Sequence, residues 1–283
     1  MQWNFKIISA ICVTFAALTG CNDSIDEDIA PRQLVVEGYI DSDGYPSVFL
    51  TYSVTANDYD RPMSDNLVRW GKVTISDGDT SIILTGAPNN NSFPPYHYRT
   101  FEMVGTPGKH YSIKAEFRND VATASAEMLN PVAINSVDFE PIADSDSLCA
   151  TFVNFTAPSD TPAYFVVFTR SITANTPFQP CMLGALEITI PSDKCRLQVY
   201  KAKSDFSPSD EDFVPHFKRG EDIQVKLSRV TKEIYDFWLA FSNESTFGNS
   251  QFINTSANLP SNVTGGFGIW SVQASSSIAA TVK

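Results

Sequence analysis

Histidine is scarce in this chain: His97, His110 and His216 are the three in 283 residues, and they lie far apart. No HExxH, GxSxG or GxxxxGKS/T pattern occurs, so zinc-protease, nucleophile-elbow and phosphate-loop chemistry have no sequence signature here. No two cysteines stand at CxxC spacing, which argues against a zinc site. The glycines of "GGFG" (265–268) precede no helix signal, so they are no phosphate cradle. Bases are outnumbered, 20 against 32 acids, for a formal charge of −12. An acidic surface of that kind disfavours nucleic acid and anionic lipid as partners. Charged residues make up only 18% and aromatics 12%, a balance that suits an extracytoplasmic all-β protein better than a cytosolic enzyme. No catalytic residue, metal ligand or cofactor is expected from these patterns.

A membrane-crossing helix is also missing at the N-terminus. The apolar run Ile7–Leu18 has twelve residues, where a span needs about 20. That length fits the core of a secretory signal, preceded here by a single positive charge, Lys6. The run ends in Leu18-Thr19-Gly20-Cys21, which looks like a bacterial lipobox at all four positions. Small residues fit the peptidase cleft before the cut, and the Cys21 thiol takes a diacylglyceryl thioether. Cleavage then frees the Cys21 amine for a third chain. Two or more chains anchor stably, because each buried methylene contributes about 0.8 kcal/mol. A plain secretory signal with an incidental cysteine is the alternative. Residues 1–20 thus read as signal peptide, Cys21 as the lipidation site, and 21–31 as an acidic tether with Asp23, Asp26, Glu27 and Asp28.

Removing residues 1–20 leaves 263 residues and, with Lys6 gone, a charge of −13. That is enough for one large or two ordinary domains. In "PSVFLTYSV" Val48, Leu50, Tyr52 and Val54 alternate with Phe49, Thr51 and Ser53. In "KHYSIKAEF" Tyr111, Ile113, Ala115 and Phe117 alternate with Ser112, Lys114 and Glu116. This period of two marks half-buried antiparallel strands. About seven short strands between Gln33 and Met128 predict an immunoglobulin- or transthyretin-like β-sandwich over 32–130. The segment "LNPVAINSVDFEPI" leads into a second β-rich unit, 131–283, with one amphipathic helix at about 231–243. Thr231 suits its N-cap and Glu233 its first turn. Ile234, Phe237, Trp238 and Phe241 repeat at helical spacing as a core stripe, with Trp238 expected to be buried. Gly265, Gly266 and Gly268 suggest a turn or bulge before a final strand.

Three cysteines remain besides the anchor. In an oxidising compartment Cys181 and Cys195 can close a loop of about 15 residues, worth roughly 3 kcal/mol. Cys149 is then left as a buried thiol. Asp41, Asp43 and Gly44 in "DSDG", and Asp77 with Asp79, faintly echo calcium loops, but both lack the further ligands. A hairpin turn explains "DSDGYP" better. Two stretches without regular pattern, "GAPNNNSFPPYHY" and "SDFSPSDEDFVPHF", mix aromatics with Pro, Asn and Asp. Loops of this composition carry binding function on β scaffolds. Phe93, Tyr96 and Tyr98 are the leading contact candidates, with Phe213 and Phe217 behind them. The competing reading folds these rings back as a lid on the core.

The lipobox, "LVVEGYIDSDGYPSVFLTYS", "VTISDG", "GKHYSIKAEF", "LSRVTKEIYDFW" and "NVTGGFGIW" occur in this order. Together they resemble the Bacteroidota outer-membrane lipoproteins catalogued as domain of unknown function 4249. That family implies no defined activity and no functional residue to carry over. It implies an outer-membrane location, with the lipid-anchored body exposed at the cell surface or facing the periplasm. The acids after Cys21 resemble a surface-export signal of such bacteria, or are a solvated tether. The company implied is a TonB-dependent barrel, which the chain would serve as binding or accessory subunit. A structural, adhesin or fimbria-like subunit is the alternative.

Overall fold

The computed structural model describes residues 31–42, 44–54, 62–89, 94–143, 145–202, 213–247 and 259–283. Cys21, the segments before and after it, and Phe93 lie outside them. Eight strands come first: β1 (Leu34–Asp41), β2 (Ser47–Tyr52), β3 (Lys72–Ser76), β4 (Ser81–Ile83), β5 (Thr85–Pro88), β6 (Tyr96–Arg99), β7 (His110–Phe117) and β8 (Asp120–Glu127). The second group holds β9 (Ile134–Ile142), β10 (Ser145–Thr156), β11 (Ala163–Ser171), β12 (Gln179–Ile188), β13 (Lys194–Val199), β14 (Phe217–Lys218) and β15 (Asp222–Val230). Helix α1 (Lys232–Phe247) and a last strand, β16 (Phe267–Thr281), complete the chain. Among the described residues the architecture is mostly β with one α-helix, as the alternation predicts.

One eight-stranded sheet, ordered β12-β11-β15-β16-β1-β2-β6-β5, runs through the molecule. The sheet β4-β3-β7-β8 faces its β1 half. A second small sheet, β13-β10-β14 with β9 on β10, faces its β11 and β15 half. Two cores result. The first gathers Leu34, Val36, Leu50, Ile75, Tyr111, Ile113 and Trp270. The second gathers Val153, Phe155, Phe165, Val167, Val225 and Leu227. In β7 Tyr111, Ile113 and Ala115 are buried as the alternation predicts, while Glu116 and Phe117 at its end are both half-buried. Val54, expected on the inner face, is 57% exposed because β2 ends at Tyr52.

The two sandwiches are not consecutive pieces of sequence. The fifteen residues of β16 reach about 50 Å at a strand's rise. Their first part pairs in parallel with β1, from Val35↔Phe267 to Asp41↔Gln273. Their second part pairs antiparallel with β15, from Arg229↔Ala274 to Asp222↔Thr281. The 32–130 sandwich is therefore completed by a strand from the end of the chain. Trp270 on that strand is fully buried, and its indole N–H donates to the Tyr111 carbonyl at 3.0 Å. Gly268 makes the close approach to β1 possible. Its φ is +114°, and a Cβ there would lie 1.9 Å from the Val36 carbonyl oxygen, so no other residue fits.

Helix α1 starts where expected and runs four residues past the expected end at 243. Thr231 occupies the N-cap position, its carbonyl accepting from Tyr235 N–H at 3.0 Å. Its hydroxyl, however, is buried without a hydrogen-bond partner, so the side-chain cap is not made. Ile234 is fully buried, but Trp238 is only half-buried. The helix lies against β11, β12 and β16 of the eight-stranded sheet, and among the described residues no second layer closes over it. Trp238 stands edge-on to Phe168 at 5.5 Å and donates to Ser271 Oγ at 3.3 Å.

Candidate functional site

Tyr96 and Tyr98 of the first loop are part of strand β6, and Phe93 lies outside the described residues. Tyr98 is 2% exposed. Its hydroxyl donates to the Val68 carbonyl at 2.8 Å and accepts from Gly71 N–H at 2.9 Å. Burial pushes this phenol up to about 12. Tyr96 is half-buried, edge-on to Tyr98 at 5.6 Å. It covers Gly86, where a Cβ would come within 2.4 Å of its hydroxyl. Both rings pack on the first core, and Tyr98 has almost no surface left for a partner. Tyr98 acts on something else. Its two hydrogen bonds clamp the loop from Val68 to Gly71, and that loop carries Trp70, 86% exposed. Arg69 and Lys72 flank it and are also exposed. Sequence reasoning missed Trp70. The available signal was "VRWGK", a tryptophan between cations and beside a glycine, outside any alternating run.

The clamp has a measurable worth. Tyr98→Phe keeps the ring and strands two backbone groups, which costs about 1–3 kcal/mol. Urea unfolding should show that loss, and an unchanged midpoint would mean water replaces the hydroxyl.

In the second loop Phe217 is 2% exposed, in β14 beneath the Lys201 ammonium at 5.2 Å. It belongs to the core and is not a contact residue. Phe213 is half-buried. The expected Cys181–Cys195 bridge is absent: Cys149, Cys181 and Cys195 are free thiols. Cys181 Sγ lies 3.0 Å from both the N–H and the carbonyl oxygen of Tyr200, whereas Cys195 sits opposite Phe155 in β13. Five residues of extended chain separate Cys195 from Tyr200, about 16 Å, far beyond disulfide reach. Burial pushes the Cys181 thiol up to about 12, away from any nucleophilic role. Cys149 is buried, its thiol on the Lys283 carbonyl at 3.1 Å.

Polar groups that drew notice in the sequence are mostly occupied. Asp77 and Asp79 hold the Lys109 ammonium at 2.6 and 3.3 Å, where a cation ligand set would need free oxygens. Among the described residues no three His, Cys, Asp or Glu side chains converge as a metal site would need. Asp41 pairs with Lys226 at 2.7 Å, both largely buried at the junction of the sandwiches. The turn after Asp41 is closed by Gly44 N–H on the Asp41 carbonyl at 3.0 Å, as a hairpin requires. An open groove of about 510 Å³ crosses the solvent face of β3, β4, β7 and β8, lined by hydroxyls including Thr74, Ser76, Ser112 and Thr123. Such a lining offers hydrogen bonds and no titratable centre beyond Lys114.

Buried imidazoles give the fold a pH dependence. His97 is 8% exposed, with Nδ1 3.3 Å from Ser47 Oγ. Burial holds it below the ordinary histidine range, and the Arg99 charge adds to that. Burial does the same to His216. The unfolded chain therefore binds more protons below about pH 6.5. Stability is complete above that value and is lost as pH falls towards the folded pKa values. His97→Gln should flatten the fall in thermal midpoint between about pH 6.5 and 5. An equally steep fall would show that His97 is not its source.

With the geometry in place, comparisons with known proteins add a family and little else. No curated protein matches. Among solved structures, a two fibronectin type-III domain segment from chicken tenascin is similar to this chain at 15% identity. The match covers 71% of this chain and 92% of that one, with a TM-score of 0.20, on which nothing rests. The sequence profile described as "Domain of unknown function (DUF4249)" matches residues 22–279. The chain belongs to the DUF4249 family.

Proposed function

We propose that the chain is an outer-membrane lipoprotein, anchored through Cys21 and exposed at the cell surface, that serves a TonB-dependent barrel as a binding or accessory subunit. The body acts by non-covalent contact, with no catalytic step. The lipobox supports the anchor, and family membership over 22–279 is consistent with it. The observation that carries the choice between partner and polymer is β16. A fimbria-like subunit leaves a strand position for its neighbour to fill. Here the position beside β1 is taken by the chain's own β16, in register over seven residue pairs. That favours a self-contained module over a subunit awaiting a donor strand.

The test is affinity purification of the tagged protein from detergent-solubilised outer membranes. A large barrel recovered with it supports the accessory reading. A ladder of its own multimers favours the fimbrial one, and recovery of neither removes both.

A further inference from the structure

The end of the first sandwich where Pro31 and Arg32 enter the fold gathers exposed apolar and cationic side chains. Leu34 opens β1 opposite Tyr52, and Phe267 opens β16 beside Val35. The Tyr52 ring lies 6.1 Å from Phe117, which enters the β7–β8 turn opposite Asp120. Lys72 opens β3 opposite Glu116, one position before Phe117. These starts and turns share one pole. It exposes Trp70 (86%), Val54 (57%), Phe267 (49%) and Val121 (44%). Arg69, Lys72 and Arg118 are exposed among them. Of the acids there, Glu116 is held by Lys114 at 2.8 Å and by Lys72 at 3.8 Å, and Asp120 accepts from the Tyr52 hydroxyl. Asp65 is exposed. Among the described residues the pole is thus apolar, with the exposed cations Arg69, Lys72 and Arg118 against one exposed acid, Asp65, on a chain of charge −12.

We infer that this pole rests on the phosphate-bearing bilayer surface that holds the anchor, with Trp70 seated at headgroup depth. The inference depends on lipidation at Cys21. From Cys21 to Pro31 the chain spans at most about 40 Å, and it enters the fold at this pole, where Arg32 Nε donates to the Ser53 carbonyl at 3.2 Å. Tryptophan favours the membrane interface, its ring apolar and its N–H in water. Arginine and lysine beside it meet lipid phosphates. The acyl chains supply the affinity, since the net charge opposes adsorption of the whole body. The pole sets orientation: it holds the shared β16, and with it the second sandwich, directed away from the membrane. The Tyr98 clamp keeps Trp70 presented before contact, so little loop entropy is lost on docking.

The processed full chain is reconstituted in phosphatidylethanolamine–phosphatidylglycerol vesicles, with and without brominated acyl chains. Mass spectrometry checks acylation of Cys21 in the same sample. Trp70→Ser supplies the difference signal, because Trp238 and Trp270 remain in both proteins. The expected result is a blue-shifted Trp70 emission quenched by the brominated chains and shielded from aqueous acrylamide. An acylated protein whose Trp70 stays open to acrylamide overturns the inference and leaves the anchor reading standing. A chain without acyl groups overturns both. A photo-crosslinker at position 70 in native outer membranes separates the occupants: lipid adducts support the inference, and adducts only to polypeptide overturn it.

Discussion

Trp270→Ala should destabilise the protein by about 3–5 kcal/mol, the range for deleting a buried large aromatic. Trp270 has no exposed surface, and its N–H satisfies the Tyr111 carbonyl of the facing sheet. The substitution therefore opens a cavity and removes a buried hydrogen bond between the two sheets together. Its neighbours cannot collapse inward easily. Gly38 sits against the indole, where a Cβ would be 2.9 Å from the ring, and β1 is fixed between β2 and β16 on both edges. Because β16 also pairs with β15, the damage should reach the second sandwich. Chemical unfolding followed by near-ultraviolet and far-ultraviolet dichroism should give one transition, shifted as a unit. Two separate transitions, with the second unmoved, would mean that the shared strand does not couple the halves.

The second large effect is expected at the junction. Asp41→Ala should cost about 3–5 kcal/mol, the usual loss when one partner of a buried pair is removed. Lys226 is then left 14% exposed, over the rings of Phe168 and Phe178 at 4.5 and 5.1 Å. Its remaining oxygen partner is Gln273 Oε1 at 3.3 Å. Those rings favour a cation but do not replace a carboxylate. Adding Lys226→Met to Asp41→Ala should recover most of the loss, since an apolar chain of similar length suits that site. If the double variant is as unstable as the single one, Asp41 matters through the β1–β2 turn and not through its charge.

The parts of this molecule read easily from its sequence are those governed by neighbours along the chain. Alternation in "KHYSIKAEF" gives β7 with its inward set. The Ile234–Phe241 spacing gives α1, and "DSDG" gives the β1–β2 turn. Long-range pairing is not written locally. The run "FGIWSVQASSSIAAT" reads as a strand, but nothing in it names its two partners, β1 in parallel and β15 in antiparallel. Side-chain burial fails for a related reason. Tyr98 looks like a binding aromatic in a Pro-rich loop until the Val68–Gly71 loop folds over its hydroxyl. Trp238 packs against the core as its spacing implies, but it stays half-buried because the helix lies on the outside of the sheet. The Cys181–Cys195 spacing suits a bridge, yet the register of β13 carries Cys195 away from Tyr200 and hence from Cys181. Trp70 escaped notice because exposure is a property of the folded surface, and no periodicity reports it.

The way the body is held decides which partners it can meet, so the deciding measurement is made on Cys21. The protein is extracted from the membrane fraction and its intact mass and N-terminal peptide are determined, beside a Cys21→Ser form of the same chain. The account predicts a mature chain beginning at Cys21 and carrying acyl groups, with Cys21→Ser appearing unprocessed or in the soluble fraction. A native chain that is cleaved elsewhere or carries no acyl group would contradict it, as would a Cys21→Ser protein that is still correctly cut and membrane-bound in vesicles free of any partner.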